Sequence, residues 1–167
     1  GLYSIEAVAI DPSNHKNIYL LGGCQYFSGT KTAMMISKDG GKNFDIVPVT
    51  ELIRVHGNGQ GRNCGERIAV DPNNSDIVYA GGRAGTPLIM SVDGGKKWSK
   101  VASFPSEAYG TTVNWPSWES TKVATTADEN GTTCVVFDKS SEKNGETQRI
   151  FVGISRTGAD NIYVSED

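Results

Sequence analysis

A chain of 167 residues is long enough for one domain with a sizeable core, and 37% apolar with 21% charged residues is a globular composition, not a disordered one. A net charge of −3 with no Lys/Arg-rich run lacks the electrostatic footprint that phosphate backbones require, which sets nucleic acid aside as a partner. No apolar stretch approaches the roughly 20 residues that span a bilayer, so no membrane contact is expected either.

Taken in chain order, short apolar runs alternate with turn-forming residues. AVAI (7–10) closes on Asp11-Pro12, and IYLL (18–21) closes on Gly22-Gly23. After CQYFSGTKT come AMMI (33–36), the turn SKDGGKNF (37–44) and FDIVPV (44–49). The order then recurs after TELIRVHGNGQGRNCGE: RIAV closing on Asp71-Pro72, IVYA closing on Gly81-Gly82, RAGTP, LIM, SVDGGKKW (91–98) and WSKVA. Each run is rich in β-branched and aromatic residues, is bounded by Gly, Pro, Asn or Asp, and is too short for a typical helix. Proline ends the first strand of each unit because it cannot donate to a ladder and holds φ near −65° for the turn that follows. A third copy emerges from CVVFDKSS, RIFVGIS and NIYVSED, with Asp138 at the place of Asp11 and Asp71 but Lys139 where proline stood.

Two and a half copies of a four-stranded antiparallel unit predict an all-β fold, a piece of a β-propeller with blades at about 1–50, 51–104 and 105–167, the last incomplete. Such blades stack around a closed ring, so the chain reads as a fragment of a larger protein. The repeated turn resembles the Asp-box, or BNR repeat. Its Ser and Asp side chains are short acceptors for backbone N–H groups two or three positions on, and paired glycines admit positive φ. Ser37, Asp39, Gly40, Gly41 and Phe44, then Ser91, Asp93, Gly94, Gly95 and Trp98, then Ser165 and Asp167 are accordingly assigned to structure. An aspartate repeated in every blade is what a shared turn requires, and a single active site does not require it. Cys24, Cys64 and Cys134 are far apart with no CxxC spacing, and His15 and His56 are isolated; no metal site and no cofactor is expected.

In a blade whose Asp-box joins its third and fourth strands, the remaining long connections emerge on the opposite face. Those connections carry the function candidates. The longest, FPSEAYGTTVNWPSWESTKVATTADENGTT, concentrates Tyr109, Trp115 and Trp118, and the proline inside NWPSW stiffens the segment. Flat aromatic faces beside polar groups suit sugar rings, and equally suit packing of the loop on its own blade. Tyr26, Tyr3 and Arg62 are the further binding candidates, and Arg62, Glu66 and Arg67 can also form a charged loop anchor.

The run GNGQGRNCGERIAVDPNNSDIVYAGGR followed by SVDGGKKW, with LYSIEAVAIDP one blade earlier and VVFDKSS one blade later, resembles the N-terminal propeller of glycoside hydrolase family 74, the xyloglucan-specific endo-β-1,4-glucanases and related reducing-end-acting enzymes. The likeness covers essentially the whole chain. It implies two seven-bladed propellers with a polysaccharide substrate in the cleft between them, a second propeller domain in the full-length chain, secretion, and inverting hydrolysis by two aspartates roughly 6.5 to 9.5 Å apart. Neither aspartate matches a position here, so no catalytic residue is named. Ser4 and Glu6 replace the family's Gly and Asp, and Asn63 with Cys64 interrupts its GRGMGER run. A non-catalytic Asp-box propeller that binds protein or glycan, sortilin-like or assembly-factor-like, is the alternative. A sialidase is a weaker third reading, since nothing arranges Arg54, Arg62, Arg83 and Arg156 as a triad around a carboxylate.

Overall fold

The structure, a computed structural model of the chain, describes residues 3–24, 31–55, 66–82, 85–109, 131–155 and 160–166. The first sheet contains β1 (Tyr3–Ile10), β2 (Ile18–Cys24), β3 (Ala33–Ser37) and β4 (Asp45–Pro48), each antiparallel to the next. The second repeats that order with β5 (Ile68–Val70), β6 (Val78–Gly81), β7 (Leu88–Ser91) and β8 (Ser99–Lys100). In the third, β9 (Gly131–Phe137) pairs with β12 (Ile150–Ser155), which pairs with β13 (Ile162–Ser165). A small hairpin of β10 (Glu142–Lys143) and β11 (Glu146–Thr147) is inserted between β9 and β12. Antiparallel meanders stacked face to face are the architecture of a propeller segment.

Side-chain alternation explains the stacking. Along β3 and β7 side chains on both faces are largely buried, and for β7 a sheet lies on each side. Tyr19, Met34 and Ile36 of the first sheet meet Ile68, Val78 and Ile89 of the second in one core. Leu88 and Val101 of the second meet Val135, Ile150 and Val152 of the third in another, where the ring pairs Tyr79–Phe137 and Phe104–Tyr163 stand edge to face with centroids 5.7 and 5.3 Å apart. The two outer sheet faces are apolar and exposed: Val8 and Ile10 on the first sheet, Val136 and Val164 on the third.

Polar side chains stitch the sheets at the end where β1 turns into β2. Asp11 is fully buried and accepts from Ser13 N, Ser13 Oγ, Asn14 N and Asn17 Nδ2. Its counterpart Asp71 has Ile77 where Asn17 would stand, and its carboxylate turns to the next sheet, accepting from Thr147 N at 2.9 Å and from Thr147 Oγ1. Asn73 reinforces that clasp through Thr147 Oγ1 and Lys139 O. Asp138, the third member, caps a short 3-10 turn over Lys139–Ser141 and accepts from Ser140 and Arg149.

Candidate functional site

The two ends of the sheets differ in chemistry. At one end lie the β1–β2 and β5–β6 turns and both SxDGGKx turns. Ser37 Oγ donates to Asp39 Oδ1 at 2.8 Å and accepts from Gly41 N at 2.8 Å, while Asp39 Oδ1 takes Lys42 N and Asn43 N at 2.9 and 3.0 Å. Ser91 and Asp93 repeat the arrangement with Gly95 N and Lys97 N. The Asn43 N–H and side-chain amide, with Ser37, hold the Asp39 carboxyl well below the usual carboxylate range; the Lys97 N–H acts first in the same sense on Asp93. Carboxylates engaged in this way by their own turn act as acceptors and are held ionised. Gly40, Gly41, Gly94 and Gly95 all have positive φ. Trp98 Nε1 donates to Gly95 O at 2.8 Å and its ring packs on the first core, whereas Phe44, on the outer sheet, is 37% exposed. Ser165 closes β13 at the place that Ser37 and Ser91 hold on β3 and β7; Asp167 lies outside the described residues.

The opposite end presents the starts of β1, β5 and β9 and the ends of β2, β6 and β12. Here Glu6 occupies a β-bulge, since the β1–β2 register slips between Ile5 and Ala7. Its Oε1 is buried with no hydrogen-bond partner; burial raises its pKa, and the neighbouring Arg67 guanidinium opposes that rise. Arg67 immediately precedes β5 and is itself only 1% exposed, while Glu66 beside it is exposed. The third sheet is tied to this end by Val135 N donating to Glu66 O and Thr132 N to Gly82 O. Gly81 is required there for close approach: a Cβ on it would lie 2.3 Å from the Thr132 Cβ.

The connections that reach this end begin as packed structure. Residues 50–55 read as variable loop from sequence, yet Ile53 and Val55 are buried in the first core. Val49 O accepts from both Leu52 N and Ile53 N, making one turn that points these side chains inward, and Thr32 pins it by accepting Val49 N at its carbonyl and Val55 N at its hydroxyl. The longest connection likewise starts with Phe104 on the second core and a 3-10 turn over Ser106–Tyr109 that buries Ala108 completely. Tyr109 closes that turn and Tyr3 opens β1 at the same end. Trp115, Trp118, Tyr26 and Arg62 lie outside the described residues. Among the described residues no group of three or more His, Cys, Asp or Glu side chains is placed to hold a metal, and Cys134 is a half-buried free thiol.

No family model matches the chain. Known proteins do match it, along nearly all its length. A xyloglucanase of Paenibacillus sp is 40% identical over 166 residues, one of Hypocrea jecorina 38% over 166, and one of Acetivibrio thermocellus 37% over 170. The match takes in 98 to 99% of this chain and 15 to 19% of theirs. Among solved structures, the glycoside hydrolase family 74 enzyme of Niastella koreensis superposes with a TM-score of 0.78 at 44% identity, over 98% of this chain and 21% of that one. The chain belongs to glycoside hydrolase family 74. The family 74 xyloglucanase of Xanthomonas campestris gives a TM-score of 0.77 at 34% identity, over 98% of this chain and 22% of that one. This family 74 segment thus spans about a fifth of the length of most of the relatives it matches. Glu6, half-buried and within electrostatic reach of Arg67, stands where the family resemblance expects aspartate. The exchange is visible in the sequence but the electrostatic pairing with Arg67 is not, because residues 61 positions apart come near each other only once β1 and β5 stack.

Proposed function

We propose that this segment is part of a secreted glycoside hydrolase that cleaves the β-1,4-glucan backbone of xyloglucan with inversion, contributing cleft-lining connections and neither member of the catalytic pair. The observation that carries the reading is the alignment of 98 to 99% of the chain with proteins named xyloglucanases. The Asp-box aspartates are engaged by their own turns, which favours catalysis by carboxylates elsewhere in the full-length protein, one protonating the leaving oxygen and one activating a water. The end of the sheets that carries the long connections is the proposed substrate side, with Trp115 and Trp118 as stacking platforms, Tyr109, Tyr26 and Tyr3 behind them, and Arg62 as a polar contact. A second propeller in the same full-length chain closes the cleft in this reading.

The test is hydrolysis of xyloglucan by the full-length protein, with the anomeric form of the first product followed by NMR. Inversion is expected, and no reducing sugar from the 167-residue chain alone. Hydrolysis by the isolated chain would overturn the absence of catalytic residues, and an inert full-length protein that still binds glycan would favour the non-catalytic propeller.

A further inference from the structure

Thr147, the donor that holds Asp71, stands at the base of the β10–β11 hairpin, and that hairpin turns on Asn144-Gly145. Asn144 is the one non-glycine residue at positive φ among the described residues, at 58°, with Gly145 beside it at 84°. Residues 142–146 are all exposed, and a Cβ on Gly145 would meet nothing within 4 Å, whereas Thr147 is buried. Only two residue pairs make up the ladder, Glu142 with Thr147 and Lys143 with Glu146. A hairpin that short has little stability of its own. What fixes it lies at its base, where Gln148 N donates to Ser141 O at 3.2 Å and Thr147 N donates to Asp71 at 2.9 Å. At its tip, Gly145 N donates to Glu142 Oε1 at 2.6 Å.

We propose that Asn144 is a site of spontaneous covalent modification, deamidation through a succinimide, and that its isoaspartyl product undoes the Asp71–Thr147 clasp. Glycine after asparagine leaves the following backbone nitrogen uncrowded. When the hairpin opens, Gly145 N leaves Glu142 and attacks Asn144 Cγ: an N–Cγ bond forms, the Cγ–Nδ2 bond breaks, and ammonia departs with the Gly145 proton. Water then opens the succinimide ring. Cleavage at Cγ gives aspartate, and cleavage at the main-chain carbonyl gives isoaspartate, whose backbone runs through the side chain and is one carbon longer. A two-residue turn closes the ladder only with both of its residues at positive φ, so the longer link does not restore the pairing of Lys143 with Glu146. Thr147 thereby loses the strand that directs it at Asp71. The closed clasp guards Asn144, and modification of Asn144 removes the guard. The inference is independent of substrate and concerns the end of the sheets away from the long connections.

The full-length protein tests it, aged at mildly alkaline pH and digested with trypsin, which cuts after Lys143 and Arg149 and isolates NGETQR. The asparaginyl, aspartyl and isoaspartyl forms of that peptide are separated and counted by mass spectrometry. Isoaspartate at 144 is expected, formed roughly fivefold or more faster in Thr147→Val than in the parent protein, while Asn58-Gly59 and Asn130-Gly131 convert at unchanged rates. Hydrogen exchange in β9 and β12 is expected to quicken in the isoaspartyl fraction and to stay at the parent rate in Asn144→Asp, which adds the charge without the extra carbon. An Asn144 that stays intact overturns the proposal, as does equal conversion in the parent and Thr147→Val. Equal acceleration at all three Asn-Gly pairs is global unfolding and overturns the local guard. Parent-like exchange in the isoaspartyl fraction, or fast exchange in Asn144→Asp, overturns the link between the lengthened turn and the clasp.

Discussion

Ser91 illustrates how one hydroxyl holds a turn. It is 2% exposed, donates to Asp93 and accepts from Gly95 N, so Ser91→Ala leaves a buried N–H without its acceptor and is expected to cost about 1 to 3 kcal/mol in urea unfolding. The neighbouring glycines separate backbone strain from crowding. Gly40 has φ of 79° with open space around its Cα, whereas Gly95 has φ of 94° and a Cβ there would lie 2.6 Å from Ile36 Cδ1. Gly40→Ala should therefore cost about 1 kcal/mol from the left-handed conformation alone, and Gly95→Ala distinctly more, since the seam between two sheets must also open. Equal losses in thermal melts would show that the seam yields freely. Titration adds a third check. Burial pushes the Asp11 carboxyl up, but the nearby Ser75 hydroxyl, which meets Ser13 Oγ, together with hydrogen bonds from Ser13 and Asn17 outweighs it and holds the group at about 2, below its unfolded value of 3.8. A depressed pKa contributes stability that is present above pH 4 and lost as pH falls toward 2. Asp11→Asn should accordingly flatten the acid limb of a Tm-against-pH curve between those limits.

At the scale of elements, strands were legible wherever a β-branched or aromatic run met a turn residue. IYLL lies within β2, and AMMI within β3. Two elements were not legible in the same way. The hairpin β10–β11 turns on Asn144-Gly145, with φ of 58° and 84°, a sequence that by itself signals a two-residue hairpin; reading the third unit as a copy of the first two hid it. Residues 50–55 looked like loop because a single turn is too short to show a period, and only the packed neighbouring sheet makes Ile53 and Val55 core. The candidate binding residues were legible as chemistry, aromatic rings on a long connection, while the electrostatic pairing of Glu6 with Arg67 depends on stacking that no local pattern encodes. The inserted hairpin has a testable role, because its Thr147 is the donor that holds Asp71. Thr147→Val keeps the shape and removes the hydroxyl. It should lower stability by about 1 to 3 kcal/mol and speed hydrogen exchange in β9 and β12 more than in β1 and β2. Uniform acceleration across all three sheets would show that the clasp is not local to the second seam.

For the whole molecule, exposed Val8 and Ile10 on one outer face and Val136, Phe151 and Val164 on the other leave apolar sheet faces of the kind that other blades cover. The 167-residue chain on its own is expected to self-associate, and size-exclusion chromatography at micromolar concentration should show species larger than 17.9 kDa. In the full-length protein, Trp115→Ala or Trp118→Ala is expected to raise KM on polymeric xyloglucan, or to shift the product pattern, more than it lowers kcat on short oligosaccharides, since a lost stacking face leaves the reacting groups untouched. Unchanged kinetics with a lower Tm would make the indoles packing residues instead. The hydrogen bonds of the two stitching systems also differ in how far they reach along the chain. Ser37 and Asp39 are two positions apart and the whole turn closes within four, whereas Thr147 meets Asp71 across 76 residues. Closing a long loop costs more entropy than closing a short one and is repaid only once both sheets exist. The Asp-box hairpins are thus expected to form early and locally in the folding of this chain, and the Asp71–Thr147 clasp to form late, registering the arrival of a finished neighbour.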